Sequence, residues 1–259
     1  MNLINIITKI GLNFNFGPLT SALKIFSSYL RFYLAILKNK KRQKQKNIIF
    51  ICALPKSGST WLENLLSINH KYINIMPPEV ILWEQKYGRS DNFIPSNLFL
   101  KNIPNGNWII KIHAKFSKEL ANKVFEMNLK PIILTRQINS ILDSHIHYVL
   151  KTRFHPDYMK IKDLTKDEKL LFVKNKYYKD YLQWELDWKK FKKQSLFITY
   201  ENLLNNTKSQ FLKMLAFLEI KLSNIEIDKI ISDNSIEKMR KRSVHKHFFR
   251  GSEIKNNNK

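Results

Sequence analysis

The chain has 259 residues, 44% of them hydrophobic, enough to bury one sizeable core, so a single α/β domain with an N-terminal extension fits better than two domains. Its one cysteine, Cys52, excludes an internal disulfide, reads as a buried inert thiol within an apolar run, and fits a reducing compartment. The seven histidines are scattered without metal-ligand spacing, and no metal is expected. A net charge of +24, from 45 Lys and Arg against 21 Asp and Glu, attracts polyanions or simply solvates a surface rich in Lys, Asn and Ile; charge alone does not choose the partner.

Residues 1–46 differ from the rest. From Pro18 to Leu37 the apolar side chains Leu19, Leu23, Phe26, Leu30, Tyr33 and Leu37 recur at steps of three and four. Thr20, Lys24, Ser27, Ser28, Arg31 and Lys38 take the opposite side, the pattern of an amphipathic helix. A basic run follows at Lys38, Lys40, Lys41, Arg42, Lys44 and Lys46. Lys24 and Arg31 would each cost about 2.5–3.5 kcal/mol at mid-bilayer, so a span is not expected. Two readings remain: a helix lying on an anionic membrane surface at the cytoplasmic face, or one packed on the domain with its lysines in water.

After residue 46 strand and helix alternate. Short apolar runs at Asn47–Leu54, Trp108–His113, Pro131–Arg136 and Ser195–Tyr200 read as strands buried on both faces. Helices are expected at about 61–69, 116–128, 137–152, 166–192 and 207–219. This plan predicts a three-layer α/β/α domain over 47–254 with a central parallel sheet, followed by a polar tail at 255–259. Ligands of such sheets bind at the carboxyl ends of the strands.

The first strand runs into Pro55-Lys56-Ser57-Gly58-Ser59-Thr60-Trp61, and a helix follows. A short turn of Gly and small hydroxyl residues opening a helix aims several N–H groups at one spot, a nest for an anion. The nucleotide triphosphatase loop G-x-x-x-x-G-K-[ST] is not met, because Lys56 precedes the glycine and Ala53 stands at the first Gly position. The segment resembles instead the 5′-phosphosulfate loop of sulfotransferases that use PAPS (3′-phosphoadenosine-5′-phosphosulfate), P-K-[SA]-G-[TS]-T-W. Further elements are similar to that family's in the same order. Lys111-Ile112-His113 resembles its K-x-H, in which the histidine is the catalytic base. Arg136, with Ser144 eight residues on, resembles its 3′-phosphate site. Tyr200-Glu201-Asn202-Leu203 resembles the segment whose tyrosine lies near adenine. Ser235-Ile236-Glu237-Lys238-Met239 and Phe248-Phe249-Arg250-Gly251 resemble its C-terminal donor loop, without the lysine between Arg and Gly and without the following G-D-W.

The resemblance covers about residues 47–254 and implies a P-loop NTPase-like sulfotransferase fold with PAPS as co-substrate. It implies donor binding by Lys56, Ser57, Gly58, Ser59, Thr60, Trp61, Arg136, Ser144, Tyr200, Arg250 and Gly251, with Trp61 stacked on adenine. Sulfuryl transfer is an in-line displacement at sulfur. His113 can take the acceptor's proton, and Lys56 can meet the charge growing on the leaving phosphate. Lys111, two residues before His113, shares its strand face and can hold a donor or acceptor oxygen. His145, His147 and Tyr148 either border an acceptor pocket or are structural, whereas Trp83, Trp184 and Trp188 read as core.

The resemblance implies a hydroxyl or amine acceptor whose identity is left open among lipid, glycolipid and glycan, the N-terminal segment favouring a membrane lipid or glycolipid. Segments 76–106 and 149–165 carry no readable code for it. Two rival readings are a P-loop kinase and a basic nucleic-acid-binding protein. The basic residues are spread through the chain, however, and the aromatics show no RNP-like interleaving, so no specific nucleic acid is expected.

Overall fold

The computed structural model describes residues 46–75, 103–153 and 155–239, together with the isolated positions 26, 30, 33, 34 and 37. β1 (Lys46–Ala53) is the centre of a sheet in the order β2-β3-β1-β4-β5, formed with β2 (Ile73–Asn74), β3 (Gly106–Ile112), β4 (Pro131–Thr135) and β5 (Leu196–Thr199). Every neighbouring pair is parallel; Phe50, for example, is in register with Ile110 of β3 and Pro131 of β4. The expected strands are present, and β2, too short to leave a pattern, is added at the β3 edge.

Alternation along β1 feeds two cores. Phe50, Cys52 and Leu54 point into one layer with Trp108, Ile110 and Ile133. That layer is closed by α2 (Lys118–Glu126), α3 (Ile138–Lys151) and α5 (Lys166–Lys189), the last through Val173, Tyr177, Tyr181, Trp184 and Trp188. Ile49, Ile51 and Ala53 point the other way, against Leu62, Leu65 and Leu66 of α1 (Ser59–Leu66). Phe211 and Met214 of α7 (Thr207–Phe217) and Ile227 and Ile230 of α8 (Asn224–Asp233) complete that side. Both faces of the sheet are thus covered, which is why its strands read as continuous apolar runs. Cys52 is buried, and desolvation raises its thiol pKa well above the ordinary value.

Helix starts obey local chemistry. Thr165 with Glu168 and Ser223 with Glu226 form capping boxes at α5 and α8. Tyr200, read from sequence as the end of a strand, instead opens α6 (Tyr200–Asn205). Thr199 caps that helix by accepting from the Asn202 N–H, and so ends β5 before the tyrosine. A further short helix, α4 (Tyr158–Ile161), lies before α5.

Candidate active site

The loop between β1 and α1 is turned by two left-handed residues, Lys56 at φ 62° and Gly58 at φ 88°. The conformation is free for glycine and costs a lysine about 1–2 kcal/mol. Ser57 is fully buried, and its hydroxyl donates to the Leu54 carbonyl at 2.6 Å, so this side chain fixes the turn from inside. The Trp61 and Leu62 N–H groups both return to the Gly58 carbonyl. The N–H groups of Ser59 and Thr60, at the start of α1, lack an intrahelical acceptor by position, and Gly58 supplies no side-chain cap. An anion placed there meets unpaired donors and the positive end of a helix.

Arg136 follows β4 and reaches across to this loop. Its Nη1 donates to the Lys56 carbonyl at 3.1 Å, and its guanidinium lies 4.5 Å from the Tyr200 ring centroid. The Nε of Arg136 is buried and has no hydrogen-bond partner among the described residues. Tyr200 also packs edge-on to Trp61, with ring centroids 6.1 Å apart. Trp61 is buried, and its Nε1 donates to the Asn234 carbonyl at 2.8 Å, which fixes the indole before any ligand arrives. The ammonium of Lys56 stands 4.7 Å from the Tyr148 ring centroid. Burial first, and then the Arg136 charge, lower the Lys56 pKa to about 8.

His113 lies just past the end of β3, beside the strand from which the loop springs. Its Nδ1 is 2.9 Å from the Ala53 carbonyl oxygen. A carbonyl can only accept, so Nδ1 carries the hydrogen and Nε2 presents a lone pair. Burial lowers the His113 pKa to about 4, assisted by the charges of Lys111 and Lys56 and opposed by Glu63 and the Ala53 hydrogen bond. Lys111 does share the His113 face of β3, but its ammonium is engaged by the Glu63 carboxylate of α1. Glu63 was not singled out in the sequence, because a single acidic residue on a helix carries no signal of a partner on a distant strand.

The structure therefore gathers Lys56, Gly58, Trp61, Arg136 and Tyr200 by direct contact, with His113 one hydrogen bond from the same strand end. Ser144 lies partly exposed on α3, and His147 on the same helix is exposed. Trp184 and Trp188 are core, as expected. Arg250, Gly251 and Trp83 lie outside the described residues.

A second polar group adjoins Lys56. His145, His155 and Asp157 are all buried, with potential ligand atoms within 4.8 Å of one another. Their donor chemistry is already committed. Asp157 accepts from Lys176 and, at 2.6 Å, from the Tyr177 hydroxyl, while the Asp157 N–H donates to His155 Nδ1 at 3.1 Å. His155 thus presents an Nε2–H rather than a lone pair, and a dication would have to displace the Lys176 ammonium. A metal would fit here only after both groups had rearranged. Desolvation lowers the His145 pKa to about 3, with the His155 charge next in order and Asp157 opposing.

A profile of the sulfotransferase domain matches residues 46–258. The chain belongs to the sulfotransferase family. Within it, Sulfotransferase 1E1 of Bos taurus is 28% identical over 196 residues, which are 74% of this chain and 65% of the bovine protein. The chain thus spans a little under two thirds of that relative's length. Human Sulfotransferase 1E1 is 26% identical over 206 residues, 76% of this chain and 68% of the relative. The crystal structure of mouse sulfotransferase SULT7A1 complexed with PAP superposes with a TM-score of 0.57 at 22% identity, covering 79% of this chain and 69% of the mouse chain. Retinol dehydratase in complex with androsterone and PAP gives a TM-score of 0.54 at 14% identity, covering 82% and 71% of the two chains. These likenesses establish the α/β fold of the family, with its parallel sheet between helical layers.

Proposed function

We propose that this protein transfers a sulfuryl group from PAPS to a hydroxyl or amine acceptor, with His113 as general base and Lys56 at the leaving phosphate. The observation that carries the reading is the His113–Ala53 hydrogen bond. It fixes a neutral imidazole with Nε2 as acceptor at the strand end from which the anion-binding loop departs. The acceptor's proton passes to Nε2 as its oxygen or nitrogen bonds to sulfur. The bond from sulfur to the bridging oxygen breaks, and the electron pair stays on the 5′-phosphate. Lys56 and the N–H groups of Ser59 and Thr60 stabilise that growing charge.

Arg136 is assigned to the 3′-phosphate, since it offers a buried N–H in need of an acceptor beside the Tyr200 ring. Tyr200 and Trp61 flank the adenine position. Ser59, Thr60 and Ser144 add hydroxyl contacts, whereas Ser57 shapes the loop, its hydroxyl and its N–H both donating to the Leu54 carbonyl. Support for a donor of this class comes from the mouse sulfotransferase, whose structure is complexed with PAP. Incubation with sulfur-labelled PAPS and lipid, glycan and small-molecule fractions tests the assignment. Label should move to a product fraction and PAP should accumulate, also in EDTA. ATP turnover with Mg²⁺ and no label transfer would favour the kinase reading instead.

For the N-terminal segment we favour the membrane surface. Phe26, Tyr33 and Leu37 are helical and remain exposed, at 58%, 59% and 62%, while Leu30 of the same face is half-buried. A helix packed on the domain would bury these side chains. Among the described residues no helix is long and apolar enough to cross a membrane. An apolar face at the headgroup boundary followed by a basic run fits a peripheral enzyme that meets lipid or glycolipid acceptors at that surface.

A further inference from the structure

Lys111 and Glu63 form an ion pair that is nearly out of solvent, with side chains 10% and 12% exposed. One partner comes from β3 and the other from α1, the helix that the phosphosulfate loop opens. Such a pair is not explained by stability. Removing two charges from water is costly, and well-packed apolar residues commonly do as well or better. Its position suggests another role. Lys111 shares the strand face of His113, and α1 holds Glu63 beside that face.

We propose that Glu63 is a positioning residue of the reaction centre, its carboxylate anchoring the Lys111 ammonium beside His113. This inference rests on the PAPS reading and deepens it.

The electrostatic consequences are definite. The charged groups acting on His113 are Lys111, Lys56 and Glu63, and of these only Glu63 is negative. Without it, the Lys111 charge would bear on the imidazole uncompensated, and a base already lowered to about 4 would weaken further. Free of its partner, Lys111 would also turn toward the next anion available, the sulfuryl and phosphate oxygens of the donor. An ammonium bound equally to ground state and transition state tightens binding without speeding the reaction.

The test is a double-mutant cycle on Glu63→Gln and Lys111→Met. Its readouts are PAPS affinity by calorimetry and the His113 titration by NMR. Glu63→Gln should bind PAPS about three- to tenfold more tightly, because one negative charge is lost and one ammonium is released. In the Lys111→Met background the same change should have a clearly smaller effect, since only the carboxylate's own charge is then lost. Lys111→Met should raise the His113 titration point, whereas Glu63→Gln should leave it at or below wild type. If Glu63→Gln leaves an unpaired ammonium that prevents folding, Lys111→Met, whose unpaired Glu63 carboxylate can take up a proton, is compared with the double variant, in which neither charge is present. A Glu63 effect of undiminished size there would overturn the proposal, as would unchanged PAPS affinity in a folded Glu63→Gln protein. Failure of wild type to bind PAPS would instead defeat the donor reading; the His113 titration needs no donor and would still decide the role of Glu63.

Discussion

The Nδ1 of His113 and the carbonyl oxygen of Ala53 are 2.9 Å apart, joining the ends of two neighbouring parallel strands. The bond sets the imidazole tautomer and aims Nε2 away from β1. Replacing His113 with Ala should therefore lower sulfuryl transfer by roughly 10²–10⁴ and leave PAP affinity nearly unchanged. Loss of PAP binding in the variant would make His113 a donor-site or structural residue. The same ring carries a stability signature. Its pKa falls from 6.5 to about 4 on folding, so between those values the unfolded chain binds the extra proton. The His113 contribution should be full above pH 6.5 and be lost progressively as pH drops toward about 4, a trend His113→Asn should remove from denaturation curves.

Lys56 gives the opposite limb. In the proposed reaction its ammonium must be charged to hold the leaving phosphate, and its pKa is lowered to about 8. Affinity for PAP should then decline as pH rises through about 8, with the protein otherwise folded. The bound anion restores the ammonium, so binding near that pH should take up protons. Calorimetry in two buffers of different ionisation enthalpy measures this directly. Lys56→Ala should abolish the uptake and lower turnover by about 10² or more.

Much of this arrangement is legible in the sequence, for reasons that vary by residue. β1 announces itself because both of its faces are buried, leaving the unbroken run from Ile48 to Leu54. The loop is legible because seven consecutive residues, Pro55 to Trp61, follow the family's phosphosulfate-loop pattern. Ser57 is the exception, since a hydroxyl in a phosphate loop reads as a ligand donor and only the fold reveals its commitment to Leu54. Strand alternation puts Lys111 on the face of His113, but its partner Glu63 is 48 residues away and no local rule connects them. α8 is not among the expected helices although Ser223 and Glu226 spell a capping box; the many exposed positions of its short amphipathic pattern blur the period.

Gly58 is held to glycine twice over. Its φ of 88° is strained for other residues, and a Cβ there would lie 2.6 Å from Tyr200 Cδ2. Gly58→Ala should push Tyr200 away from Arg136 and Trp61, weakening PAP binding by roughly tenfold or more, on the scale of one charge-assisted contact. Tyr200→Ala removes the clash but not the strain, so the double variant should regain part of the loop geometry, visible as recovered binding of inorganic phosphate. Wild-type affinity in Gly58→Ala would show that the loop accommodates a side chain and that this contact is incidental.

Arg136 tests the other end of the donor. A charge-assisted bond to phosphate contributes about 1.5–3 kcal/mol, so Arg136→Ala should lose roughly ten- to a hundredfold in PAPS affinity. Turnover at saturating donor should change less. The decisive comparison is PAPS against an analogue without the 3′-phosphate: wild type should prefer PAPS, and Arg136→Ala should lose most of that preference. Ser144→Ala should show a smaller change in the same direction. An unaltered preference would transfer the 3′-phosphate to another cation, with Arg250 the first to examine.

The N-terminal segment makes a prediction independent of the chemistry. On the proposed membrane surface the exposed Phe26, Tyr33 and Leu37 would supply an apolar contact, and the basic run from Lys38 to Lys46 would add attraction of about 1 kcal/mol per charge near an anionic leaflet. The apolar part is indifferent to salt, whereas the basic part is screened within a Debye length of about 10 Å at 0.1 M. Full-length protein should therefore sediment with phosphatidylserine vesicles at low salt, less with neutral ones, and lose only part of its binding as salt rises. Substituting Asp for Phe26 and Leu37 should remove the salt-resistant part and leave the screened part. A chain beginning at Asn47 should lose most of both while still binding PAP, since the loop, Arg136 and His113 all lie beyond that point. Equal sedimentation of the full and shortened chains would assign the segment to the protein's own surface, and the membrane-acceptor reading would fall with it.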